Sequence, residues 1–145
     1  MKTVRDILSA KKKDVWSVSP SDTVFDALKI MGEREIGALM VMEGGEVVGI
    51  ISERDYARKI ILKGKTSRAT LVSEIMTVHM FSVKPENTIE DCMVLMTGKH
   101  IRHVPVFDNN KFIGLISIGD VVKEIISEQG RLIEQLSDYI AGKYM

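Results

Sequence analysis

Two short segments of the 145-residue chain place a hydroxyl and a carboxylate three residues apart directly after an apolar run: Gly49-Ile-Ile-Ser-Glu-Arg-Asp55 and Gly114-Leu-Ile-Ser-Ile-Gly-Asp120. Ser-x-x-Asp ahead of a helical stretch is a capping box, in which Ser52 and Asp55, or Ser117 and Asp120, satisfy each other's backbone N–H groups. The same geometry has a second use. A helix that starts at the end of a strand offers N–H groups and a partial positive charge suited to phosphate, and a carboxylate one turn inside can accept both hydroxyls of a ribose. On the residues alone both readings stay open. Phosphate also needs cations, and Arg102-His103, just before Val104-Pro105-Val106, offers a bidentate guanidinium and a donor whose charge follows pH.

Other chemistry finds little support. The chain has no paired catalytic carboxylates in a motif, no nucleophile elbow and no phosphate-binding glycine loop, so an enzyme is not expected. His79, His100 and His103 lack a ligand spacing, and no metal is expected. The lone Cys92 falls on the apolar face of a helical pattern and reads as core. Twenty basic and twenty acidic residues with 45% hydrophobic residues argue against disorder and against a nucleic-acid binder driven by excess positive charge. The longest apolar run, Ile36 to Met42, is far short of the ~20 residues of a membrane span, and the start lacks a signal-peptide pattern. No membrane partner and a cytoplasmic location are the expectations.

The elements that must position the Ser-x-x-Asp segments come in two copies. Shifting the chain by 65 residues aligns 16–59 with 81–124 without a gap, and 12 of 44 pairs are identical, among them Pro20/Pro85, Thr23/Thr88, Gly49/Gly114, Ser52/Ser117 and Asp55/Asp120. Upstream, Val4-Arg-Asp-Ile-Leu8 echoes Val72-Ser-Glu-Ile-Met76 at a shift of 68. Each copy predicts a short strand (16–18, 81–83), a proline turn, a helix opened by Thr23 or Thr88, two strands around a hairpin turn, and a second helix starting at Ser52 or Ser117. The fold class is α+β, two β-α-β-β-α units packed sheet to sheet about a pseudo-two-fold axis.

These residues resemble the tandem cystathionine β-synthase (CBS) domain pair, or Bateman module, of the stand-alone bacterial and archaeal type. The two Gly-φ-φ-Ser-x-x-Asp segments carry the resemblance, with Val18 to Thr23, Val83 to Thr88 and Ile101-Arg-His-Val-Pro-Val106. It implies a regulatory module that binds an adenine nucleotide (AMP, ADP, ATP, NAD or S-adenosylmethionine) in two clefts between the repeats, with no catalytic cofactor. It also implies a disc-like homodimer and an effector protein that reads the change in arrangement. Carried over by position, the first cleft takes Ser52, Arg54, Asp55, Thr77, Ser82, Arg102 and His103, with Asp55 on the ribose. The second takes Ser17, Ile36, Gly37, Ala38, Ser117, Ile118 and Asp120, and lacks an Arg-His pair.

As sequence units, the repeats are expected over 1–70 and 71–127, followed by a helical tail over 128–145 that Gly130 could break. The tail's apolar residues, Val122, Ile125, Ile126, Leu132, Ile133, Leu136, Tyr139 and Ile140, exceed what the module needs and suggest a subunit contact. Lys11, Lys12 and Lys13 could reach the second cleft, and the expectation is a solvated loop. The alternatives to a nucleotide sensor are a structural or dimerisation module without ligand and a weak nucleic-acid binder.

Overall fold

The structure, a computed structural model, describes residues 2–11 and 15–140. The chain divides into two compact units. One is continuous, Lys13–Phe81; the other is composite, Met1–Lys12 with Ser82–Met145. The sequence repeat and the compact unit are therefore different objects, because the segment that opens each repeat packs into the unit built by the other.

The continuous unit contains β1 (Ser17–Val18), α2 (Val24–Arg34), β2 (Ala38–Glu43), β3 (Glu46–Ser52), α3 (Glu53–Lys59) and α4 (Val72–Ile75). β1 lies parallel to β2, and β2 and β3 form an antiparallel hairpin. The composite unit contains α1 (Val4–Lys11), α5 (Ile89–Lys99), the antiparallel hairpin β4 (His103–Asp108) and β5 (Lys111–Ser117), and α6 (Ile118–Ile140). Both hairpins close on two residues with positive φ, Gly44-Gly45 and Asn109-Asn110, the residue types that tolerate this left-handed turn. The long helices open on Thr23 and Thr88 and close on left-handed Glu35 and His100, again one repeat apart.

Each core buries the apolar faces that the periodicity marks. The continuous unit packs Val24, Ala27 and Met31 of α2 against Leu39, Val41 and Ile51 of the sheet. In the composite unit Ile89, Cys92 and Met96 of α5 pack against Val104, Val106 and Ile116. Cys92 is fully buried, and that burial pushes its thiol up to about 11. Over each core lies one opening helix, through Val72 and Ile75 of α4 or Val4 and Ile7 of α1.

The opening helices are fastened by matching backbone bonds. Val72 N–H donates to Asp22 O and Ser73 N–H to Pro20 O; Val4 N–H donates to Asn87 O and Arg5 N–H to Pro85 O. Next to each helix the β-hairpin has a glycine. A Cβ on Gly49 would stand 3.0 Å from both Met76 Sδ and the Thr77 carbonyl oxygen, whereas on Gly114 it would stand 2.6 Å from Leu8 Cδ2.

Two expectations change. The strand over 81–83 is reduced to a single parallel bridge, Val83 to Val106. Val83 exchanges bonds with Pro105 O and Phe107 N–H, but extending the ladder toward Phe81 needs an N–H from residue 105, which proline lacks. At the equivalent place Met40 supports β1. Gly130 does not break the tail: α6 runs without interruption from Ile118 to Ile140. One interior glycine costs about 1 kcal/mol, which a long cooperative helix absorbs.

The glycine contacts give a stability test. Gly49→Ala meets a fixed carbonyl and should destabilise the protein by about 1–3 kcal/mol, whereas Gly114→Ala meets the mobile end of Leu8 and should cost less. Urea denaturation of the two variants checks the order.

Candidate functional site

Both Ser-x-x-Asp segments form the strand-to-helix turn that their spacing predicts. In the continuous unit Asp55 N–H donates to Ser52 Oγ (3.3 Å), and Ser52 N–H donates to Asp55 Oδ2 (2.9 Å). The composite unit repeats this with Asp120 N–H to Ser117 Oγ (3.1 Å) and Ser117 N–H to Asp120 Oδ2 (2.9 Å). The first helical N–H groups are also taken: Glu53 donates to Gly37 O and Ile118 to Arg102 O. This corrects the idea of a helix end offering open N–H groups at those positions. What each turn presents is an oriented, half-buried carboxylate.

Each carboxylate has an ammonium beside it, drawn from different parts of the chain. Lys59, one turn along α3, lies 3.1 Å from Asp55 Oδ1 and also donates to Ile75 O. Thr77 Oγ1 donates to the same Asp55 oxygen at 3.4 Å. At Asp120 the ammonium is that of Lys11, the last residue of α1, 2.8 Å from Oδ2 and 2.7 Å from Leu115 O. The expected solvated loop is thus wrong for Lys11, which a helix carries to the carboxylate; Lys12 and Lys13 lie outside the described residues. Against the cost of burial, the Lys11 and Ser117 hydrogen bonds keep the Asp120 carboxyl below the usual carboxylate value.

His103 begins β4 directly opposite Ser117. Burial, helped by the positive charges of Lys11 and Arg102 and opposed by Asp120, brings its imidazole down to about 4. At neutral pH it is an uncharged donor and acceptor, so the expected pH-dependent cation is replaced by a neutral ring. Arg102 beside it is exposed.

The structure thus brings Ser52, Asp55 and Thr77 together in the continuous unit, and Ser117, Asp120 and His103 in the composite one. In the continuous unit, Gly37 touches the Ser52 turn through its carbonyl, Ile36 and Ala38 flank it, Arg54 follows in α3, and Ser17 is exposed on β1. Ser82 is exposed in the composite unit, and Ile118 opens α6. Sequence reasoning missed Lys59, although its spacing of four from Asp55 on a helix was a usable signal. Among the described residues no group of three or more His, Cys, Asp and Glu side chains could hold a metal ion, and no helix is long and apolar enough to cross a membrane.

The comparison with known families matches the CBS domain twice, over residues 3–62 and 72–127. The chain belongs to the CBS-domain family. It is 41% identical to the mitochondrial CBS domain-containing protein CBSX3 of Arabidopsis thaliana, over 98% of this chain and 73% of that one. CBS domain-containing protein YhcV of Bacillus subtilis is 31% identical, covering 89% of each. A solved CBS-domain protein from Burkholderia ambifaria MC40-6 superimposes with a TM-score of 0.85 and 48% identity, over 88% of this chain and 96% of that one. CBS-domain pairs of this kind are regulatory modules, and the α+β fold is theirs.

The His103 environment sets a direction for stability. A ring held near 4 in the fold and near 6.5 when unfolded binds its proton more readily in the unfolded chain between those values. Its contribution is therefore complete above the unfolded value and falls on acidification through that window, by at most about 1.4 kcal/mol per pH unit. The depressed Asp120 acts separately, below the ordinary carboxylate range. His103→Gln should flatten the stability profile over the histidine window in urea titrations; an unchanged slope would place that titration elsewhere.

Proposed function

We propose that this chain is a ligand-sensing module in which Asp55 and Asp120 each accept the ribose hydroxyls of an adenine nucleotide, and that it acts as a homodimer assembled through α6. The observation that carries the first part is the doubled arrangement: two Ser-x-x-Asp carboxylates, each oriented by its own capping box and each with an ammonium beside it, Lys59 of α3 at Asp55 and Lys11 of α1 at Asp120. A cap needs no such counter-ion, since the serine and backbone bonds already complete it. A carboxylate with a cation alongside suits a ligand that pairs a diol with an anionic group. No catalytic cofactor enters this reading. Arg102 and His103 remain in the proposed ligand set on the family resemblance, with His103 acting as a neutral hydrogen-bonding group. Ser17, Ile36, Gly37, Ala38, Ile118, Arg54 and Ser82 remain on the same basis.

The dimer reading rests on α6. Val121 is buried and Ile125 packs on the composite unit's core, but Val122, Ile126, Leu132 and Leu136 are exposed, the last three by more than half (62%, 57% and 53%). At about 100° per residue they fall within an arc of about 120°, an apolar stripe interrupted by Gln129. The side chains of Ile133, Tyr139 and Ile140, part of the expected stripe, lie outside the described set, as do residues 141–145. A ligand that favours one arrangement of the dimer would shift its population, and an effector protein that distinguishes the arrangements would read that shift.

Two measurements test this. Thermal-shift screening against AMP, ADP, ATP, NAD and S-adenosylmethionine should raise the melting temperature for a true ligand through linkage. Calorimetry should then show each of Asp55→Ala and Asp120→Ala removing one binding event and the double variant removing both. No shift with any nucleotide at millimolar concentration would favour the structural module. For the second part, a chain ending at Ser127 should sediment as a smaller species than the full chain; an unchanged oligomer would remove α6 from the interface.

A further inference from the structure

The two carboxylates differ in what it costs to release their ammonium. Lys59 is on the same helix as Asp55 and, like Lys11, also donates to a backbone carbonyl, that of Ile75; its side chain is 43% exposed, so water can solvate the ammonium when the carboxylate is taken. Lys11 is 25% exposed, Asp120 is 18% exposed, and the ammonium is fixed between Asp120 Oδ2 and the Leu115 carbonyl oxygen. Those two bonds use two of its three N–H donors. Beside this pair lies His103, an uncharged ring on which the positive charges of Lys11 and Arg102 both act.

We propose that Lys11 makes the Asp120 site selective for an anionic nucleotide over the corresponding neutral nucleoside, a refinement that rests on the adenine-nucleotide reading above. A ribose diol at Asp120 competes with the ammonium for the carboxylate oxygens. A neutral ligand that wins this competition leaves a half-buried cation with only a carbonyl partner, which is costly. A ligand that brings a phosphate gives Lys11 a new oxyanion in place of the shared carboxylate, so the charge stays paired throughout the exchange. Selectivity therefore comes from rejecting the neutral ligand as much as from attracting the charged one. At the Asp55 site the more exposed ammonium is solvated at lower cost, so this device is weaker there.

The test uses the full chain carrying Asp55→Ala, which leaves Asp120 as the site measured, with AMP and adenosine as probes in calorimetry. AMP should bind more tightly than adenosine, and adding Lys11→Met should shrink that preference by about tenfold or more, the scale of a charge-assisted hydrogen bond. Lys11→Gln, which keeps a donor and loses the charge, should shrink it similarly while circular dichroism shows the fold retained. Both ligands binding with an unchanged ratio in the two variants would overturn the proposal and leave Lys11 a packing role. Equal tightening of both ligands would overturn it in favour of a simple plug. Neither ligand binding to the Asp55→Ala chain, while binding to the Asp120→Ala chain, would instead overturn the reading of Asp120 as a nucleotide site.

Discussion

Each core in this protein is closed by a helix that its own repeat does not supply. α1 precedes the first repeat's sheet in sequence but packs with the second repeat's elements, and α4 does the converse. The bonds that fasten them are backbone N–H groups at the helix start donating to carbonyls of the proline turn. The unsatisfied donors of a helix N-terminus make this attachment available without any special side chain. Two consequences follow. The hairpin comes close to the docked segment, so that a Cβ on Gly49 would press on Met76 and the Thr77 carbonyl and one on Gly114 on the end of Leu8. In the composite unit the helix also carries Lys11 to Asp120, so the same docking that completes the core completes the charge arrangement.

That charge arrangement connects local structure to function. A capping-box carboxylate is a common device, and its two bonds to serine would be enough to start α3 or α6. Here each carboxylate retains accepting capacity beyond the cap and has an ammonium within 3.1 Å or 2.8 Å. The helix start is thereby turned from a group that is merely satisfied into one that exchanges partners. Because the cap itself stays in place through the backbone bond, an exchange of partners on the carboxylate does not have to unwind the helix. A regulatory module needs this property, since the scaffold must survive both the occupied and the unoccupied state.

Much of the fold was legible in the sequence because it rests on local patterns. Thr23 and Thr88 mark the helix starts, Gly44-Gly45 and Asn109-Asn110 mark the turns, and the apolar residues at helical spacing became the buried ones. The missing strand at 81–83 had a visible cause as well, Pro105, but its effect depends on which partner rung needs the proline's absent N–H. That is a matter of register, and the strand's own residues do not reveal it. Gly130 misled in the opposite direction, since propensity is weak against the cooperativity of a 23-residue helix.

The two lysines show where legibility of the site ends. Lys59 serves Asp55 from four residues away on one helix, so its role could be read from spacing. Lys11 serves Asp120 across 109 positions, and aligning the repeats hides it further, because the residue matching Lys59 is Glu124, which pairs with Lys2 instead. The repeats thus preserve the charge at the carboxylate while moving its source, and reverse the charge at the position that alignment would compare. What stays constant between them is a physical requirement, a cation beside an oriented carboxylate. Symmetry in the sequence therefore locates the two aspartates, but the difference between them lies in the element that delivers the ammonium and in how far water reaches it: the lysine of the same helix is the more exposed, and the one carried by a separately docked helix is the more enclosed.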